Sequence, residues 1–182
     1  MKTFKDYLKS VHACDAAIDW AGDKPIEQVV AECHRGDWLL WLAKKCGVEL
    51  QPLTLVKGHC ANTVRHLMTD ESSLKAVDVA IAFGEGRATR QELDDAASAA
   101  YAAFAADAAY AAYDAYDAYA ASAASAAAYA ADAAADAAYA YASAAYAYAS
   151  AAYAANQQET ADICRKYIGD LIIEKVNQTI NP

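Results

Sequence analysis

The sequence predicts an all-α protein, and three observations carry that prediction. Alanine, the residue with the most favourable helix propensity, dominates the second half. No sustained period-two run of Val, Ile and Thr occurs of the kind that builds a sheet. Gly, Pro and Asp punctuate the first half at the spacing of short helices. The expected architecture is a short-helix N-terminal bundle over 1–88, then long Ala-rich helices over 89–156 packed as an antiparallel hairpin or bundle. A C-terminal helix within 157–182 is expected to dock on the first region.

In the first region the punctuation predicts helices over 4–11, 14–21, 25–33, 37–46, 53–68 and 72–83. Pro25 suits a first helical turn, where its missing N–H is no loss. Gly47 and Gly84 stand where C-terminal caps are expected. In the run Arg35-Gly36-Asp37-Trp38-Leu39-Leu40-Trp41-Leu42, Gly36 can end one helix with a positive φ and Asp37 can cap the next. Trp38, Leu39, Trp41 and Leu42 then fall on one apolar face, which predicts a core helix. Arg-Gly-Asp as an adhesion motif carries little weight, because a tripeptide recurs by chance and this one abuts a buried helix.

Thr89 and Glu92 have capping-box spacing, and no Gly or Pro follows until Gly169. Larger residues then recur every third position from Ser98 to Ser125, and at alternating four and three from Tyr129 to Tyr153. The second register keeps to one helix face, whereas the first slips about 60° per step around a helix of roughly 3.6 residues per turn. A single helix over 89–155 would reach about 100 Å, against a radius of gyration near 16 Å for a compact chain of this length, so it must fold back or be shared between chains. Breaks are expected at 114–117 and 122–125, where Asp or Ser can cap a new helix. Beyond 157, Ile163, Tyr167, Leu171, Ile172 and Val176 form a conventional apolar stripe.

Charge is unevenly placed. The formal net charge is −9, yet residues 1–70 balance nine basic against nine acidic side chains, while 96–155 holds five Asp and no Lys or Arg. Nucleic acid is therefore not an expected partner, since phosphate contacts need cations. A basic protein is. The five cysteines are odd in number and widely spaced, unlike a disulfide framework, which predicts reduced thiols and a cytoplasmic location. No signal-peptide run opens the chain, and Asp107, Asp114, Asp117, Asp132 and Asp136 make a membrane span costly.

No catalytic, cofactor-binding or metal site is expected. His12 with Cys14, Cys33 with His34, and His59 with Cys60 are neighbours, but no Cys pair has zinc-ligand spacing. Cys33, His34, His59 and Cys60 could meet if their helices pack; buried structural thiols are the favoured alternative. No Cys–His pair is singled out as nucleophile and base, and Gly84-Glu85-Gly86 lacks the context of a phosphate loop.

Tyr offers large contact area at low entropy cost, and Asp beside it suits a basic partner. The expected partner-binding residues are Tyr110, Tyr113, Asp114, Tyr116, Asp117, Tyr139, Tyr146 and Tyr153. Two readings compete: Ala faces packing between chains into a homo-oligomer or structural assembly, and a drifting repeat that serves no binding. A sponge for a small ligand such as a signal nucleotide would need Arg or Lys, which the Ala-rich half lacks. Ice binding ranks lower, because Tyr would break a flat face.

The runs Ala13-Cys14-Asp15-Ala16-Ala17 with Trp20-Ala21, then Cys33 to Leu42, Cys60, and Gly84-Glu85-Gly86 leading into Ala-rich helices, resemble bacterial immunity proteins of the Imm-5-like family. The resemblance covers mainly the first half. It implies an all-helical, non-enzymatic inhibitor that binds and neutralises a toxin, of a kind also found on mobile elements and phage. The Tyr- and Asp-rich, cation-free Ala segment departs from that pattern.

Overall fold

The computed structural model describes residues 3–111 and 150–181, with side chains described over 3–100 and 155–181. The protein is all-α. Its helices are α1 (Phe4–Ser10), α2 (Asp15–Ala21), α3 (Ile26–Glu32), α4 (Gly36–Lys45), α5 (Leu50–Asn62), α6 (Glu71–Gly84), α7 (Arg90–Ala111) and α8 (Ser150–Ile180), with a 3-10 turn at Arg65–Leu67. Among the described residues there is no strand. The expected hairpin or bundle of Ala-rich helices, and its breaks at 114–117 and 122–125, lie outside the described residues.

Local chemistry explains most boundaries. Thr3 and Asp6 form a reciprocal capping box at α1, and the Asp70 carboxylate accepts the Ser73 N–H at 2.6 Å at the start of α6. Thr89 and Glu92 do the same for α7, the Thr89 N–H donating to Glu92 Oε2 at 2.7 Å and the Glu92 N–H to Thr89 Oγ1 at 3.2 Å. Helix α5 begins at Leu50, before the expected 53, because Pro52 then falls in the first turn, where N–H groups have no intrahelical partner. It ends at Asn62, and the 3-10 turn takes the remainder of the expected 53–68 helix.

Helix α8 is the axis of the main core. It packs on α4, α5 and α3, and more lightly on α1. Ala161, Cys164, Ile168, Ile172 and Val176 are fully buried along it. Of the expected stripe, Ile172 and Val176 lie in this seam, whereas Ile163, Tyr167 and Leu171 are half-buried on its flank. Burying each of the branched side chains contributes about 1.5–3 kcal/mol. The guanidinium of Arg165 donates to the Cys33 carbonyl at 2.6 Å and to the Val30 carbonyl at 3.4 Å, satisfying the open C-terminal end of α3 from α8.

Beyond this core, α6 packs on α5 and α7 on α6. The side chains in contact shrink outward: Ala61, Met68 and Val77 between α5 and α6, then Ala76 with Ala100 and Ala80 with Leu93 between α6 and α7. Three glycines let backbones meet. A Cβ on Gly36 would lie 2.7 Å from the Thr160 carbonyl carbon, one on Gly58 2.8 Å from Ile81 Cγ1, and one on Gly84 2.5 Å from Leu55 Cα.

Two expected roles change accordingly. Gly36 is the first residue of α4, not a positive-φ terminator, and its hydrogen side chain makes room for α8. Asp37 does not cap α4; its carboxylate takes both Nε and Nη2 of Arg35, at 2.8 and 2.6 Å. Gly84 lies within α6 against α5, and Gly86 supplies the positive φ at that helix end. Gly47, with φ +80°, does follow the end of α4 as expected.

Substituting Gly36 or Gly84 by Ala should destabilise the fold by about 1–3 kcal/mol, because the overlapping atoms include backbone. Gly169→Ala, whose new methyl would meet only Val30 Cγ1 at 3.4 Å, should be neutral or stabilising, up to the roughly 1 kcal/mol helix penalty of glycine. Urea denaturation of the three variants separates these outcomes, and equal effects would refute the close-approach account.

Candidate functional site

The described body displays little apolar surface: Leu67, 48% exposed, is its one exposed large hydrophobic side chain. A cavity of about 640 Å³ is walled by α1, α2, α4 and the α1–α2 link, with contributions from α3 and α5. Trp20, Trp38 and Trp41 line it, together with His12, Lys44 and Lys57. These are the only tryptophans in the chain. Trp38 and Trp41 are half-buried cavity walls packed against the core, rather than the interior side chains that their helical spacing predicts.

Each indole is held by a cation. Lys24 Nζ stands 4.1 Å from the Trp20 ring centroid, Arg35 Cζ 4.7 Å from Trp38 and Lys45 Nζ 5.6 Å from Trp41. Such contacts contribute about 0.5–1 kcal/mol each at exposed sites. Trp20 also meets Trp38 and His34 edge-on, both at 6.0 Å between centroids. Lys24 is in turn paired with Glu32 at 3.1 Å, and Arg35 with Asp37. The Glu32 carboxyl is held below its usual range by hydrogen bonds from Gln28 and Lys24.

Two residues stand out in the lining. Lys57 is only 2% exposed, a depth at which lysine is found when it has a partner, and it has one here. His12 has φ +61°, a left-handed conformation that costs a non-glycine residue on the order of 1 kcal/mol. It ends α1 in the manner of a glycine cap, with the Ala13 N–H donating to the Leu8 carbonyl at 2.9 Å. Strained backbone of this kind concentrates at functional sites.

The neighbouring cysteines and histidines part company. Cys33, Cys60 and Cys164 converge in the core where α3, α5 and α8 meet. Their thiols reach the carbonyls of Arg35, Thr160 and Gly36 at 3.5, 3.9 and 3.6 Å. Burial pushes the Cys33 thiol up, and Cys164 rises well above the usual range, chiefly through the adjoining Cys60. His34 turns outward to Trp20, while His59 stacks on Tyr167 at 4.7 Å, where burial lowers its basicity. The four side chains Cys33, His34, His59 and Cys60 therefore do not converge. Among the described residues no three His, Cys, Asp or Glu side chains group to hold a metal ion.

The expected partner-binding residues are not among those whose side chains are described. Tyr110 lies on α7 and Tyr153 on α8, with their side chains not described. Tyr113, Asp114, Tyr116, Asp117, Tyr139 and Tyr146 lie outside the described residues. Among the described residues no helix is long and apolar enough to cross a membrane. No protein-family model, no curated protein and no solved structure matches the chain. What the geometry defines is an all-α body with a tryptophan-walled, lysine-bearing cavity.

Two measurements follow. His12→Gly should raise stability by up to about 1 kcal/mol, as relief of left-handed strain requires; a clear loss would show that the imidazole holds the fold. With an aromatic disulfide reagent, Cys14 should react at once, the half-buried Cys46 more slowly, and the other three thiols only on unfolding. Rapid native labelling at Cys164 would contradict the core assignment.

Proposed function

We propose that this chain is a non-enzymatic, protein-binding inhibitor of immunity type, which neutralises a basic toxin or defence effector through the Tyr- and Asp-bearing surface of its Ala-rich region. The observation that carries this reading is the partition of chemistry along the chain. Residues 112–149 contain only Ala, Tyr, Asp and Ser, and 96–155 contributes five units of the net charge of −9. The described body, by contrast, keeps its large apolar side chains inside and offers no broad apolar patch for a protein partner. Tyrosine is enriched at the centres of protein interfaces, and a field of one sign steers an oppositely charged partner toward it. The resemblance of the first half to Imm-5-like immunity proteins points the same way, and so does the helical character of the whole body.

The partner is expected to be retained stoichiometrically on the purified chain and released by salt. A variant with Tyr110, Tyr113 and Tyr116 changed to Ala and Asp114 and Asp117 to Asn should bind it at least about tenfold more weakly, with the helical circular dichroism unchanged. Light scattering of the chain alone checks the self-assembly reading, in which the Ala faces meet between copies and no second protein is needed. Recovery of a concentration-dependent homo-oligomer and no basic partner would overturn the inhibitor reading.

A further inference from the structure

The cavity's volume of about 640 Å³ is within the range of roughly 300–1,000 Å³ typical of small-molecule sites, and its wall gathers all three tryptophans of the chain. Trp20 comes from α2, and Trp38 and Trp41 from α4, with Trp20 and Trp38 edge-on at 6.0 Å between centroids. Phe4, Leu8 and Leu39 are among the apolar side chains that complete the wall. The charges in and around it are already matched. Lys44 and Lys57 each have a partner, and Asp37 is bound by Arg35. Lys24, Arg35 and Lys45 lie over the three indoles. An anionic ligand would therefore have to draw a lysine from its partner. A cationic ligand, of the kind that aromatic rings otherwise attract, would meet rings that each hold a protein cation and would be repelled by it. An uncharged ligand meets neither cost. Among uncharged ligands, an aromatic ring gains on indoles what a saturated ring of the same size does not, since ring quadrupoles favour edge-on and offset contacts beyond the area they bury.

We propose that this cavity binds a small, uncharged, planar aromatic molecule, its ring packed among Trp20, Trp38 and Trp41. It selects against charge of either sign and for an aromatic ring over a saturated one. Binding here needs no basic protein partner, so this site and the inhibitor reading stand or fall separately.

The test uses the full chain with four probes on one bicyclic frame: 2-naphthamide, the anion 2-naphthoate, the cation 2-naphthylmethylammonium, and the saturated decahydronaphthalene-2-carboxamide. All three tryptophans line the cavity, so the three indole N–H signals in a nitrogen-15 correlation spectrum report occupancy of this site, and their titration gives the affinities. 2-Naphthamide should move the indole signals with one-to-one stoichiometry and bind at least about fivefold more tightly than each of the other three probes. Ala17→Phe, which adds a ring to the cavity from a half-buried position of α2, should weaken the amide at least about tenfold. If circular dichroism shows that this variant has not folded, Trp41→Leu carries the test; it keeps an apolar wall but removes a ring, and should weaken the amide severalfold and bring it level with its saturated analogue. Indole signals unmoved by 2-naphthamide at its solubility limit, a charged or saturated probe that binds as tightly as the amide, or an amide affinity unchanged in the folded variant would each overturn the proposal.

Discussion

The fold depends on how closely α8 can approach α4. The Gly36 backbone lies against the side chain and carbonyl of Thr160, and that contact seats the α8 seam of Cys164, Ile168, Ile172 and Val176 in the core. Several consequences share this one distance. Arg165 can reach the open end of α3 only if α8 lies this close, and the Cys164 thiol reaches the Gly36 carbonyl for the same reason. Because α3 and α4 are both referred to α8, the direction in which α4 projects Trp38 and Trp41 is set by a threonine near the far end of the sequence. Interiors pack like crystals and deform little, so a shift at this contact would be transmitted to the cavity walls.

A second pattern runs outward from that centre. Branched side chains fill the space around α8, mixed ones the α5–α6 interface, and mostly alanines with Leu93 the α6–α7 interface. Each step exchanges buried apolar area for backbone proximity. An Ala–Ala contact buries far less than a Leu–Ile one, and so α7 is held more by Leu93 and its capping box than by its length. High helix propensity then matters most where packing contributes least, which is the reason an Ala-rich sequence can continue a helix beyond the edge of the core.

How much of this could be read in advance varied with the range of the interaction. Helix class, the start of α7 and the positive φ at Gly47 rest on residues within a few positions of one another, and local pattern predicts them. The roles of Gly36 and Gly84 do not: a glycine that ends a helix and one that admits a neighbouring helix look alike until the partner, Thr160 or Leu55, is in place. The apolar stripe of α8 was legible as a stripe, but its centre was not, because only the packing partners decide whether Ile163 or Cys164 faces inward. The cavity was the least legible feature. Its three tryptophans come from α2 and α4, and Lys57 in sequence is an ordinary lysine on a helix. His59 and Cys60, conspicuous neighbours on α5, were drawn apart because adjacent positions on a helix point about 100° apart, and Cys33 and His34 because extended backbone follows α3.

The cavity and the Ala-rich region therefore stand as separate chemistries on one chain. Half-buried tryptophans can be bland core material, and Trp38 and Trp41 satisfy that description by helical spacing alone. What sets Trp38 and Trp41 apart from interior side chains is their surroundings: Arg35 and Lys45 lie over their rings, as Lys24 lies over Trp20, so each indole packs on the core with one part and meets charge with another. His12 keeps a left-handed backbone in the lining of the same cavity, at a cost that glycine would avoid, and the cavity wall therefore holds chemistry that the interior seam of α8 does not need.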